Sequence, residues 1–244
     1  MSSEQQAENR VWWFEGFWNE AKCQAPISAG ADYGGKPVYN QGTLSQELRE
    51  REIKFTKEHG LYCLFVSRPS TRADRDFDDL GPMSMTGILV SGSMIDLLRD
   101  FDLGDSQVLE LPMYEGLGKQ LGPSGSLKEP DLSHPVPGRW GLLHVLERKD
   151  AILEECSVGV GKGLDAPSLD YQPLYVPSRS PETVIGLNSK VSLSGPDIWL
   201  DTRLDDVHFI SERLRRAILD AGLRVPMMKW LKEAPLHEPN AGEG

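Results

Sequence analysis

Twice in this sequence an apolar strand runs into a serine that opens an amphipathic helix, first in "GILVSGSMIDLLRDFDLGDSQVLELPMY" and again in "VHFISERLRRAILDAGLRVPMMKWL". Ile210 and Ser211 match Val90 and Ser91, Leu214 matches Met94, and Ile218, Asp220 and Leu223 match Leu98, Asp100 and Leu103. A serine hydroxyl at the junction caps the orphan N–H groups of the helix it precedes, while apolar residues three to four apart give that helix a core face. Two such units are too few for a solenoid. They fit the equivalent edges of two lobes, whether by duplication or by independent use of a common design.

The rest of the chain follows a similar alternation. "VWWFEGFW" packs Trp12, Trp13, Phe14, Phe17 and Trp18 into a short span, which demands burial in the core or at a partner surface. In "TLSQELREREIKFTKEHG", Thr43 and Gln46 have capping-box spacing and Gly60 sits where a C-terminal cap belongs, so a helix is expected. "LYCLFVS" has the length and β-rich composition of a buried strand. "RWGLLHVLERKDAI", "SLDYQPLYVPS", "TVIGLN" and "KVSLS" read as further strands. The expected class is α+β, with mixed or antiparallel sheet segments and a few helices. A single domain over 1–235 is expected, with lobes at 11–115 and 139–235, a Gly/Pro/Ser-rich connector over 116–138 and a flexible tail over 236–244.

With 244 residues and 39% hydrophobic content, the chain has enough apolar surface for a substantial core. No run approaches the roughly 20 apolar residues that cross a bilayer, and "MSSEQQAENR" lacks an apolar signal core. Residence in the cytoplasm without membrane contact is therefore expected. Cys23, Cys63 and Cys156 are odd in number and far apart, which fits a reducing compartment and excludes a Cys-x-x-Cys knuckle.

No pattern assembles catalysis. "SVGVGKGLDAP" lacks phosphate-loop spacing, since Lys162 is followed by Gly163 where a hydroxyl is required. The run Asp74, Asp76, Asp78, Asp79 alternates like a calcium loop but has Asp79 at the glycine position and Met85 at the bidentate glutamate position. His59, His134, His144, His208 and His237 have no metal-ligand spacing. No catalytic residue, cofactor site or metal site is assigned.

The net charge of −11 argues against direct binding to nucleic acid and suits either plain solubility or a basic partner. Residues 68–110 hold four basic against nine acidic side chains, a net of −5. This concentrates the excess around Asp74, Asp76, Asp78 and Asp79, the first candidate partner contacts. Asp201, Asp205 and Asp206 form a second candidate acidic patch.

From Thr86 onward the text resembles immunity protein family eleven of the bacterial polymorphic toxin systems. Trp140, Asp150, Ser157, the triplet Asp197-Ile198-Trp199, and Ser211 through Leu223 occur in that family's order, over roughly 60–232. Trp199 stands where the family usually has Phe, and "MMKWL" lacks the family's ending for its last strand. The resemblance implies a noncatalytic protein that binds and neutralises a cognate toxin, such as a nuclease delivered by type VI secretion, by occluding its active site. It implies no contact residue. Two other readings stand beside it. One is an enzyme handling a nucleotide or small molecule through "GVGKG" and His144. The other is an adaptor that oligomerises through "WWFEGFW", the oligomeric state being open.

Overall fold

The computed structural model describes residues 9–15, 27–33, 36–40, 54, 61–67, 80–82, 87–116, 132–163, 172–176, 182–225, 228 and 231–238. Among them the fold is α+β with mixed and antiparallel sheets, as the sequence predicts. The expected helix over 43–60 and the loop carrying Asp74 to Asp79 fall outside the described residues, apart from Lys54, whose Nζ lies 3.1 Å from Asp105.

Each serine junction forms as expected. Strand β6 (Ile88–Ser91) is buried along its whole length and ends at Ser91, whose extended backbone aims its Oγ at the N–H of Met94, 3.2 Å away. Helix α1 (Gly92–Leu98) then buries Met94, Ile95 and Leu98. Strand β15 (Leu204–Ser211) ends in the same way, with Ser211 Oγ accepting from Leu214 N at 3.1 Å. Helix α3 (Glu212–Asp220) buries Leu214 and Ile218 on its inner face. The two helices touch, and their apolar faces share one core with Phe14, Ile88, Val90, Leu143, Ile198 and Ile210.

The likeness extends to topology. One sheet has the order β5-β6-β9-β7, comprising β5 (Leu80–Pro82), β6, β9 (Trp140–His144) and β7 (Gln107–Glu110). The larger sheet has the order β10-β14-β15-β1-β16, comprising β10 (Arg148–Lys149), β14 (Ile198–Asp201), β15, β1 (Val11–Glu15) and β16 (Lys232–Ala234). In each, the strand before the helix and the strand after it are separated by a third strand antiparallel to both. Each inserted strand starts opposite the capping serine, with Trp140 paired to Ser91 and Val11 to Ser211.

The inserted strands are exchanged between the halves. β1 comes from the N-terminal half yet completes the C-terminal sheet, while β9 follows the Gly/Pro/Ser-rich segment yet completes the N-terminal sheet. Lobes at 11–115 and 139–235 therefore do not match the sheets, because each sheet takes its inserted strand from the other half.

Alternation along the larger sheet explains its unbroken apolar runs. Ile198, Leu200 and Ile210 face the helices, whereas Trp13, Trp199, Val207 and Phe209 face a second core with Ile152, Leu174, Ile185 and Leu187. A sheet covered on both faces needs apolar residues at every position. A third sheet, β3-β2-β4-β8, consists of β2 (Ile27–Tyr33), β3 (Lys36–Asn40), β4 (Leu61–Ser67) and β8 (Met113–Gly116). "LYCLFVS" is thus a strand, as its composition indicates.

Three local expectations are corrected. "KVSLS" is not a strand, because Asn188 Oδ1 accepts from Lys190 N at 3.0 Å and starts the short helix α2 (Ser189–Ser192). Leu236 and His237, at the start of the expected tail, are tied down: they form β17 (Leu236–His237), which pairs in parallel with β13 (Leu187–Asn188). The last strand of the larger sheet begins at Lys232, just after "MMKWL".

Candidate protein-binding surface

The acidic residues proposed from sequence have separate fates. Asp74, Asp76, Asp78 and Asp79 lie outside the described residues. Asp205 and Asp206 lie in β15 where its register with β14 shifts, Leu200 opposing His208 and Asp201 opposing Leu204. Asp201 is the correction: it is fully buried and bonded to its own backbone surroundings, so it offers a partner nothing. Its Oδ2 accepts from Ala151 N at 2.9 Å and Ile152 N at 3.0 Å, and its Oδ1 accepts from Arg203 N at 3.0 Å. Burial pushes its carboxyl up from the usual range, against the pull of these three N–H groups.

Other charged groups are also committed internally. Asp197 is buried and accepts from Ser211 Oγ at 2.6 Å and Asp102 N at 3.1 Å while pairing with the Arg213 guanidinium. Glu212, at the first position of α3, accepts from Arg216 Nε at 2.8 Å and from the Trp12 indole. Arg203 reaches Glu154 at 3.0 Å and Asp150 at 3.4 Å, and Lys162 reaches Glu154 at 3.4 Å.

On the exposed side of α1, Arg139 forms a fork on Glu110 at 2.8 and 3.0 Å and meets Asp96 at 2.8 Å, with Arg99 also on Asp96 at 2.9 Å. The Arg139 hydrogen bonds hold both carboxyls below their usual range. The Arg139 guanidinium is raised in turn, first by Glu110.

Sequence reasoning missed Lys149. This lysine is 8% exposed and donates to the carbonyls of Ser194 at 2.7 Å and Pro196 at 3.1 Å, with its ammonium 3.7 Å from the centre of the Trp199 ring. Desolvation lowers its pKa to about 8, opposed by Glu147, Asp197 and Asp102. Trp199 stacks on Phe209 with centroids 5.6 Å apart, Phe209 opposes Trp13 across β15 and β1, and Lys232 stands 4.8 Å from the Trp13 ring centre. The larger sheet thus carries a row of three aromatic residues closed by a lysine at each end. Lys149 lay in the charged run "ERKDA", where nothing local distinguishes a buried lysine from an exposed one.

His144 lies buried within β9, and His208 stacks on Phe14 at 5.2 Å. Trp13 and Phe14 are buried in β1 and Trp12 is partly buried, so these three rings fill the protein's own core. Phe17 and Trp18 fall outside the described residues. Gly161 and Lys162 form strand β11, which pairs with β12 (Leu174–Tyr175). Among the described residues no group of three His, Cys, Asp or Glu side chains is placed to hold a metal ion, and no helix is long and apolar enough to cross a membrane.

The residues that carry the family resemblance have interlocking structural roles. The Trp140 indole donates to Pro137 O at 3.0 Å as β9 begins. Ser157 Oγ donates to Leu153 O at 2.7 Å and accepts from Gly186 N at 3.0 Å, joining two segments of the loop layer. Asp197 and Ser211 bond directly, linking the strand "DIWL" to the helix "SERLRRAIL". A scan against protein-family models finds no match to this chain, and a search of curated proteins finds none either.

Proposed function

We propose that this protein is a noncatalytic immunity protein that binds a cognate toxin and neutralises it by covering its active site. The observation that carries this reading is the bond between Asp197 and Ser211. It joins the last two members of the ordered motif series, 14 residues apart, and makes them parts of one structural unit. A series in which the members depend on one another is more informative than the same short motifs scattered over unrelated surfaces. The net charge of −11 supports a partner with a basic cleft, since an acidic binder steers that encounter and competes for phosphate-binding groups. A cytoplasmic nuclease is a suitable toxin of this kind, and a surface of about 800 Å² per partner would suffice to occlude it.

The test is coexpression with the product of the neighbouring gene. Growth rescue from a toxic neighbour, together with copurification of the two chains, is the expected result. A toxic neighbour that is neither neutralised nor bound overturns the proposal.

A further inference from the structure

The layer of loops over the second core presents an apolar face to solvent. In the segment Glu182–Ile185, exposed and buried positions alternate, so Thr183 and Ile185 point inward while Glu182 and Val184 point outward. Val184 is bridged to Val158 by two backbone hydrogen bonds of 2.8 and 2.9 Å, which places both valines side by side; they are 36% and 58% exposed. Beyond Val158, Gly159 takes φ of +73°, a conformation that favours glycine, and the chain turns so that Val160 packs on the core below. On the adjoining strand, Leu174 and Val176 pack on the core and Tyr175 faces out, 51% exposed. Its ring lies over Gly161, where an added Cβ would come within 2.4 Å of it.

This face is held in place by what lies beneath and beside it. Gly163 N donates to Pro173 O at 2.8 Å, Gln172 Nε2 donates to Gly163 O at 2.9 Å, and Leu174 N donates to Arg203 O at 2.6 Å. Binding to a preformed face avoids most of the ordering cost that a mobile loop incurs. Beside it, Lys162 is already paired with Glu154. Glu182, beside Val184, and Glu155, three residues before Val158, are exposed and have no ion-pair partner among the described residues. The carboxylates around Arg139 are already neutralised by arginine, so they offer an incoming cation less.

We propose that Val158, Tyr175 and Val184, flanked by the free carboxylates of Glu182 and Glu155, form the docking face for a basic protein surface, with Tyr175 as its anchor. The occupant supplies an apolar contact for the tyrosine and valines and Lys or Arg side chains for the glutamates. This assignment rests on the toxin-binding reading and identifies the toxin's basic face as the occupant. Exposed tyrosines on rigid backbones are frequent hot spots, and rim charges act mainly on the association rate.

The experiment measures binding of the purified, catalytically inactivated product of the neighbouring gene to the full-length chain. Tyr175→Ala and Val184→Ser should each weaken affinity by about 30-fold, chiefly through faster dissociation. Glu182→Lys should slow association about tenfold at low salt, and the difference should vanish at high salt. Melting temperatures establish that each variant folds, and Glu182→Lys, whose side chain points away from the core, serves if Tyr175→Ala does not. Binding by the wild type that all folded variants retain overturns the docking face alone. Absence of both wild-type binding and growth rescue overturns the functional proposal and the docking face with it. A wild-type dimer in light scattering that Tyr175→Ala converts to a monomer would show that a second copy covers the face, which also overturns the assignment.

Discussion

At the scale of single residues, the buried charges carry the sharpest consequences. Asp201 satisfies three backbone N–H groups and lies 3.7 Å from the Arg203 guanidinium, so Asp201→Ala leaves those donors without their acceptor and removes one of the three carboxylates around Arg203. A loss of about 3 to 5 kcal/mol in denaturant unfolding is expected. Asp201→Asn keeps one acceptor oxygen but turns an amide toward another donor, and should cost about 1 to 3 kcal/mol.

Lys149 predicts a pH dependence. Its pKa is about 8 in the fold against 10.5 for an ordinary lysine, so between these values the unfolded chain keeps a proton that the folded chain has released. Its contribution to stability therefore rises with pH across that window, at up to about 1.4 kcal/mol per pH unit. Unfolding titrations from neutral to alkaline pH should show the wild type gaining stability relative to Lys149→Met, and parallel curves would refute it. The identities of Asp201 and Lys149 are plain in the sequence, but their burial is not. "IWLDTRLDD" gives the same local text for an aspartate in solvent and one sealed beneath a loop, because the loop that seals Asp201 comes from 50 residues earlier in the chain.

At the scale of elements, the two serine caps were legible because capping is a short-range interaction. The hydroxyl reaches an N–H three residues on, and the apolar spacing that follows sets the buried face. Ser91→Ala should cost about 1 kcal/mol through loss of the bond to Met94 N. Ser211→Ala should cost more, about 2 to 3 kcal/mol, because Ser211 Oγ also donates to buried Asp197. Equal losses in thermal or denaturant melts would show that the Asp197 bond adds nothing. "KVSLS" was misread because four residues are too few to show a helical period, and Asn188 serves a cap as readily as a turn. β12 and β13 fall within "SLDYQPLYVPS" and "TVIGLN", which read as strands, whereas their partners β11 and β17 were hidden, since two-residue strands have no alternation to read.

At the scale of the whole molecule, the exchange of β1 and β9 makes the two halves interdependent. A chain ending in the 116–138 segment would keep β5, β6, α1 and β7 but lack β9, leaving β6 and β7 without the strand that joins them. The complementary fragment would lack β1 and leave β15 unpaired to β16. Exposed strand edges of this kind favour aggregation. Two fragments divided within the 116–138 segment should each be insoluble or unfolded when expressed alone and should reconstitute a soluble complex when coexpressed. Two independently folded fragments with cooperative melts would refute the exchange.

The sequence alone determined the α+β class, both serine-capped strand–helix junctions, the strand at Leu61–Ser67 and the acidic balance. Each depends on neighbours within a few residues or on composition. Only the tertiary structure decided which half completes which sheet, which carboxylates are consumed internally, and that Val158, Tyr175 and Val184 are exposed beside residues that pack on the second core. Backbone pairing uses the same N–H and C=O groups whatever the side chains, so a strand's partner is selected by the shape and burial of distant segments. The same burial decides whether a carboxylate becomes an internal fastening or remains available to another molecule.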